Sequence, residues 1–173
     1  YSINRYPITV TQTANGTITP GTTNVNYGGS VSFSIAPAIG HHIDSVYVDG
    51  AKVDSTTSYT FSKVAAAHSI TAYYSINSYA VTVTQTSNGT ITPGTTSVNH
   101  GSNQSFTVTP ATGYHIDSVL VDGSNVGAVA SYDFTNVTAT HTITAYYSIN
   151  GYAITVTQTA NGTIAPGTTS VNY

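Results

Sequence analysis

Apolar and polar residues alternate through most of the chain, and the alternation fixes where its strands begin and end. From Tyr6, the residues Tyr6, Ile8 and Val10 fall on one face and Thr9, Thr11 and Thr13 on the other. Period two with β-branched residues marks a half-buried strand. Asn15-Gly16 follows, the strongest short hairpin signal because both residues accept positive φ, and Thr17-Ile18-Thr19 is the returning strand, closed by Pro20-Gly21. Val31, Phe33 and Ile35 then alternate with serines. In His41–Val48 the parity fails, because Ile43 cannot share a face with Val46 and Val48 on a regular strand; a bulge near Asp44-Ser45 reconciles them. Tyr59 and Phe61 point inward, and His68, Ile70, Ala72, Tyr74 and Ile76 alternate along a last strand. Only Val64–Ala67 is compatible with even one helical turn. Six to eight short strands per unit predict an all-β fold of tandem, small, sandwich-like domains.

The unit is defined by repetition. Tyr6, Tyr79 and Tyr152 open three copies of one stretch at a spacing of 73 residues, the mark of tandem architecture. Residues 1–73 and 74–146 differ at 27 positions, which leaves 73 − 27 = 46 identical. The inward face flips parity between Ile76 and Tyr79, and again between Ile149 and Tyr152. Side chains on a strand alternate strictly, so a flip means that the chain leaves one core and enters another. The expected division is 1–5 as the tail of a preceding repeat, 6–77 and 78–150 as repeat domains, and 151–173 as the first strands of a third. The remainder of that third unit is expected outside this window or from another chain. Joining without a flexible linker predicts a head-to-tail rod, each unit adding about 30–45 Å at roughly 3.4 Å per strand residue.

Composition narrows the function. Lys and Arg number three, Asp six, and Glu, Cys, Met and Trp are absent. Without clustered cations there is no counterion-releasing surface for nucleic acid, and no apolar run reaches the length of a membrane span. Without cysteine there are no disulfides, no thiolate chemistry and no common structural zinc site. A surface this poor in ions gives salt little to screen, which suits an extracellular or cell-surface location. Edge strands are usually blunted by charge, and this chain has little. Neighbouring repeats or copies of the chain are therefore expected partners, with strand exchange into a filament as the outcome.

Motif by motif, the chemistry is thin. His42-Ile43-Asp44-Ser45 and His115-Ile116-Asp117-Ser118 place His and Asp two apart on one face with Ser pointing away. A triad needs convergence in space and a metal needs a third ligand, so packing is the favoured reading. Neither a catalytic residue, nor a metal ligand, nor a cofactor site is assigned. Asp49-Gly50 and Asp122-Gly123 read as turns rather than calcium ligands. Asn15, Asn88, Asn103, Asn136 and Asn161 fit the N-glycan acceptor pattern. Outward Thr9, Thr11 and Thr13 suit a solvated strand better than an ice-binding ladder, because small sheets twist. Of fourteen tyrosines, Tyr47, Tyr73 and Tyr146 point outward and are the candidate ligand or interface residues, with a glycan as the ligand.

The sequence resembles the divergent relatives of the internalin B-repeat, which are bacterial surface and secreted tandem repeats. The matching residues are Ile154–Gln158 with Asn161–Ile164, Gly113–Gly123, Tyr132–Val137 and His141–Tyr146. The resemblance implies a β-grasp-related topology with a helix and a role as an extracellular spacer or fibre module of large adhesins. It carries no shared catalytic motif. The expected function is thus a rigid structural repeat of a stalk or filament, the alternative an adhesin module that binds glycan or another surface ligand.

Overall fold

A computed structural model describes residues 3–173. The chain forms two compact units, 1–78 and 79–173. The first contains β1 (Arg5–Thr11), β2 (Gly16–Thr19), β3 (Thr23–Asn26), β4 (Val31–Pro37), β5 (His41–Val48), β6 (Ala51–Val53), β7 (Ser58–Phe61) and β8 (His68–Ile76). They make a five-stranded sheet, β3-β1-β8-β5-β6, and a three-stranded sheet, β2-β4-β7. Ile8, Val46, Ile70 and Ala72 from the first pack against Ile18, Phe33, Ile35 and Phe61 from the second. Two sheets closed over one apolar layer make a β-sandwich. The large-sheet core residues sit at alternate positions, as the sequence pattern requires.

The second unit repeats this plan with β9 (Ser78–Thr84), β10 (Gly89–Thr92), β11 (Thr96–Asn99), β12 (Gln104–Pro110), β13 (Tyr114–Val121), β14 (Ser124–Gly127), β15 (Ser131–Phe134) and β16 (His141–Ile149). Its sheets are β11-β9-β16-β13-β14 and β10-β12-β15, around Val81, Ile91, Phe106, Val119, Phe134 and Ile143. Both units bury a perpendicular phenylalanine pair, Phe33–Phe61 at 5.9 Å and Phe106–Phe134 at 5.7 Å between ring centres.

No described residue is helical, and Val64–Ala67 is an irregular loop whose Val64 plugs the core at 1% exposure. The helix that the family resemblance implied is therefore absent. The expected bulge is present: Ile43 faces Tyr74 and Ser45 faces Tyr73, leaving Asp44 over. Ile76 and Ile149 are exposed rather than inward. The small sheet's cover reaches Tyr74, whose hydroxyl donates to Thr17 O at 3.3 Å, and the strand runs on past it.

One pairing the alternation did not reveal closes each unit. β8 lies parallel to β1, Ile8 to Thr11 beside His68 to Thr71, and β16 lies parallel to β9 in the same way. The other strand pairs whose register is described are antiparallel. The bond from Thr13 Oγ1 to Ala72 O continues this seam, as does Thr86 Oγ1 to Ala145 O. Nearby, Gln12 ties back to both the N–H and the C=O of Ile18, at 2.9 and 2.7 Å, and acts as a strand partner made of side chain.

Residues 151–173 show what happens without that seam. β17 (Gly151–Ile154) and β18 (Thr169–Asn172) pair as β1 and β3 do. β17 stops at Ile154, three residues short of the extent of β1 and β9. Ile154 is 48% exposed, whereas Ile8 and Val81 are at 0%. The turn survives, with Asn161 at φ +70° beside Asn15 at +69° and Asn88 at +73°. Turn geometry is local, while burial needs the distant strands. In hydrogen exchange, the amides of 152–171 should exchange near the unprotected rate while those of Val81, Phe106 and Ile143 stay protected.

Gly16 and Gly89 explain a further constraint, since a Cβ on either would fall inside the ring of Tyr74 or Tyr147. Gly89→Ala should lower the stability of the second unit by about 2 kcal/mol through overpacking. Urea denaturation against the parent chain, and against Gly94→Ala, where a Cβ meets nothing within 4 Å, measures this.

Candidate functional site

The outer face of the five-stranded sheet carries the candidate residues. Along β8, Ile70 and Ala72 point to the core, so Thr71 and Tyr73 point out. Thr11 faces Thr71, Thr71 faces Tyr47, and Tyr47 faces Lys52. Opposed residues share a face, so these four form one row across four strands, about 15 Å long at roughly 4.8 Å per interval. Tyr73 stands beside the row, its ring centre 5.7 Å from that of Tyr47 and perpendicular to it. Tyr73 is 50% exposed. The bulge leaves Asp44 over between Ile43, which faces Tyr74, and Ser45, which faces Tyr73, and Asp44 Oδ2 accepts from the Ser45 hydroxyl at 3.1 Å.

In the second unit the row is Thr84, Thr144, Leu120 and Asn125, and Tyr146, 47% exposed, has no aromatic at 120 to meet. The two units share a scaffold and differ on this face.

The histidines and aspartates are organised otherwise than their sequence spacing indicated. His42 Nδ1 meets Asn77 Oδ1 at 2.8 Å and His115 meets Asn150 at 3.0 Å, so neither pairs with the aspartate two residues on. Ser45 and Ser118 bond to Asp44 and Asp117 instead of pointing away, because the bulge turns both residues to one side. The close pairs are His68 with Asp49 and His141 with Asp122, each at 2.7 Å. Their separation of 19 residues leaves no local trace in the sequence. The other carboxylate oxygen of Asp49 accepts from Ser69 N–H and that of Asp122 from Thr142 N–H, both at 2.8 Å. Asp49-Gly50 forms a turn with φ of +51° and +79°, and its side chain anchors that turn to the last strand. Among the described residues, no three His, Asp, Glu or Cys side chains come close enough to hold a metal.

Burial is the largest single influence on Asp49 and Asp122 and pushes both carboxyl groups up. The hydrogen bonds from the histidine and the backbone, with the nearby histidine charge, together outweigh it and hold both below the ordinary value. Burial also raises the phenols of Tyr74 and Tyr147.

Of the glycan-acceptor asparagines, Asn15, Asn88 and Asn161 are exposed at turns with positive φ. Asn136 is exposed, also at positive φ, and its N–H bonds to Asn103 Oδ1 at 2.8 Å. That bond occupies the Asn103 side chain in the turn. An open depression of about 300 Å³ lies beside β3, lined by Arg5, Asn24, Asn26 and Ser30 among others, with no aromatic ring.

Two all-strand units built on one strand order define a tandem β-repeat. The chain belongs to the divergent InlB B-repeat domain family, whose model matches residues 6–78 and again 79–151. Repeats of this type occur in bacterial surface proteins. No curated protein and no solved structure matches the chain.

The aspartate anchors predict an acid limb of stability. A carboxyl group held below its unfolded value, about 3.9, contributes stability above that pH and loses it as pH falls through the folded value. The melting temperature should therefore drop as pH falls below about 4. Asp49→Asn with Asp122→Asn should lower it at pH 7 and flatten that drop. Thermal melts followed by circular dichroism from pH 7 to pH 2 test both.

Proposed function

We propose that this chain is a spacer segment of a bacterial surface protein, holding a distal part away from the cell. The observation that carries the reading is the junction. Strand β8 ends at Ile76 and β9 begins at Ser78, with Asn77 alone between them. Asn77 is itself fixed to the first unit, its N–H to Gly40 O at 2.8 Å and its side chain to His42. A one-residue connection that is already hydrogen-bonded has little freedom to absorb motion. Membership in a tandem-repeat family supports the same role.

Charge supports it further. The described ion pairs are the two His–Asp contacts, so the fold gives external salt little to weaken. The edge strands β2, β3, β6 and β7 have three or four residues each. Short edges limit lateral pairing, which favours a covalent spacer over a fibre built by strand exchange.

Small-angle scattering on chains of two, four and six repeats tests the proposal. The maximum dimension should rise by a constant increment of about 30–45 Å per unit, unchanged from low salt to about 1 M. Growth as the square root of repeat number, the behaviour of a flexible string, would overturn it.

A further inference from the structure

The outer face of the first unit has a feature that a spacer does not need. Tyr47 and Tyr73 form a perpendicular ring pair in the middle of a polar sheet face, with Tyr73 half in solvent. The tyrosine hydroxyls that bond to protein among the described residues are those of Tyr74 and Tyr147, at the core edge. Perpendicular rings make a step: a flat apolar ligand face can lie on one ring while the other closes its side.

We propose that this step is a binding site for a neutral polysaccharide, with Tyr47 and Tyr73 stacking on a pyranose ring. The groups around it match that chemistry. Lys52 at one end of the row offers only donors, Asp44 at the bulge before the residue that faces Tyr73 offers only acceptors, and Thr71 and Thr11 along the row offer both. Neither Lys52 nor Asp44 is in an ion pair among the described residues. Lys52 and Asp44, one positive and one negative, balance each other around the ring pair. Its complement is a ligand that is uncharged, polyhydroxylated and apolar on one ring face. A polyanion would meet Asp44, and a wholly apolar partner would strip water from both ions without pairing them.

The second unit serves as an internal control. It keeps Thr84, Thr144, Asp117 and Tyr146 but has Leu120 and Asn125 in place of the tyrosine and the lysine. The strand order there is the same and Leu120 still faces Asn125, with a bulge at Val119/Leu120 that the β5–β6 pair lacks, so the ring pair is not required to close the sheet. The site therefore belongs to the first unit alone, and one chain of this length binds at one place.

Affinity electrophoresis of the intact 173-residue chain tests this, in gels carrying a soluble β-glucan, mannan, xylan or galactan, with polygalacturonate and hyaluronan as anionic counterparts. Retardation is expected with at least one neutral polymer and should be indifferent to salt. Tyr47→Leu copies the second unit and so preserves folding; it should weaken retention at least about fivefold, as should Tyr73→Ala, whereas Tyr146→Ala leaves it unchanged. Circular dichroism of each variant confirms that its strands persist. The proposal is overturned if no neutral polymer retards the chain, if only the anionic ones do, or if Tyr47→Leu binds like the parent. None of those outcomes bears on the spacer reading, whose test is dimensional.

Discussion

Each unit depends on the parallel seam between its first strand and its last. Until the strand that begins at His68 lies beside Ile8–Thr11, the first hairpin has one open edge and an uncovered apolar face. Residues 151–173 display that condition inside the same molecule. They have the same turn, the same strand pairing with the Thr169–Asn172 strand and nearly the same sequence as the opening of the second unit, yet Ile154, Ile164 and Val171 are in solvent. Burial in this fold is therefore a property of the closed unit. Roughly 25 cal/mol per Å² of apolar surface is gained only when residues some 60 positions apart meet, as Thr13 and Ala72 do.

What the sequence revealed and what it hid follow from the range of each interaction. Period-two alternation is local, so the strands and their inward residues were legible from Ile8, Phe33 and Ile70. The parity conflict in His41–Val48 is local too, and it located the bulge that leaves Asp44 over. The seam joins residues whose identities, Thr and Ile, say nothing of parallel or antiparallel direction, so it left no signal. The His68–Asp49 contact was hidden for the same reason, and His42 and Asp44, two apart, drew attention to a pair that does not form, since His42 bonds to Asn77. The outward direction of Tyr47 and Tyr73 was legible from parity, but their mutual contact and their place beside Lys52 and Asp44 required the register.

The two units also separate what the fold needs from what it carries. Most positions that fill the core, such as Phe33 and Phe106, and the anchors Asp49 and Asp122, are the same residues, and the core exchanges Ile8 against Val81 and Ile35 against Val108 stay aliphatic. The 27 differences include Tyr47 against Leu120 and Lys52 against Asn125, which change an outer face and leave the strand order intact. A sandwich whose outer faces are free of structural duty can vary them singly, so repeats on one scaffold can differ in what they present.

The closing strand has a consequence for synthesis. Because the segment that locks each unit comes last in its sequence, a chain emerging from the ribosome or a secretion channel cannot complete a unit until nearly all 73 residues are out. While a unit waits for its last strand, its first hairpin, like that of 151–173, has its edge unpaired and follows a finished unit of almost the same sequence. High separation between contacting residues slows closure, and similar neighbours can exchange segments during the wait. A finished unit whose own last strand already occupies the seam offers no vacancy to the newcomer. Ordered, one-at-a-time completion is thus built into the strand order, and the direction of translation becomes the direction of assembly.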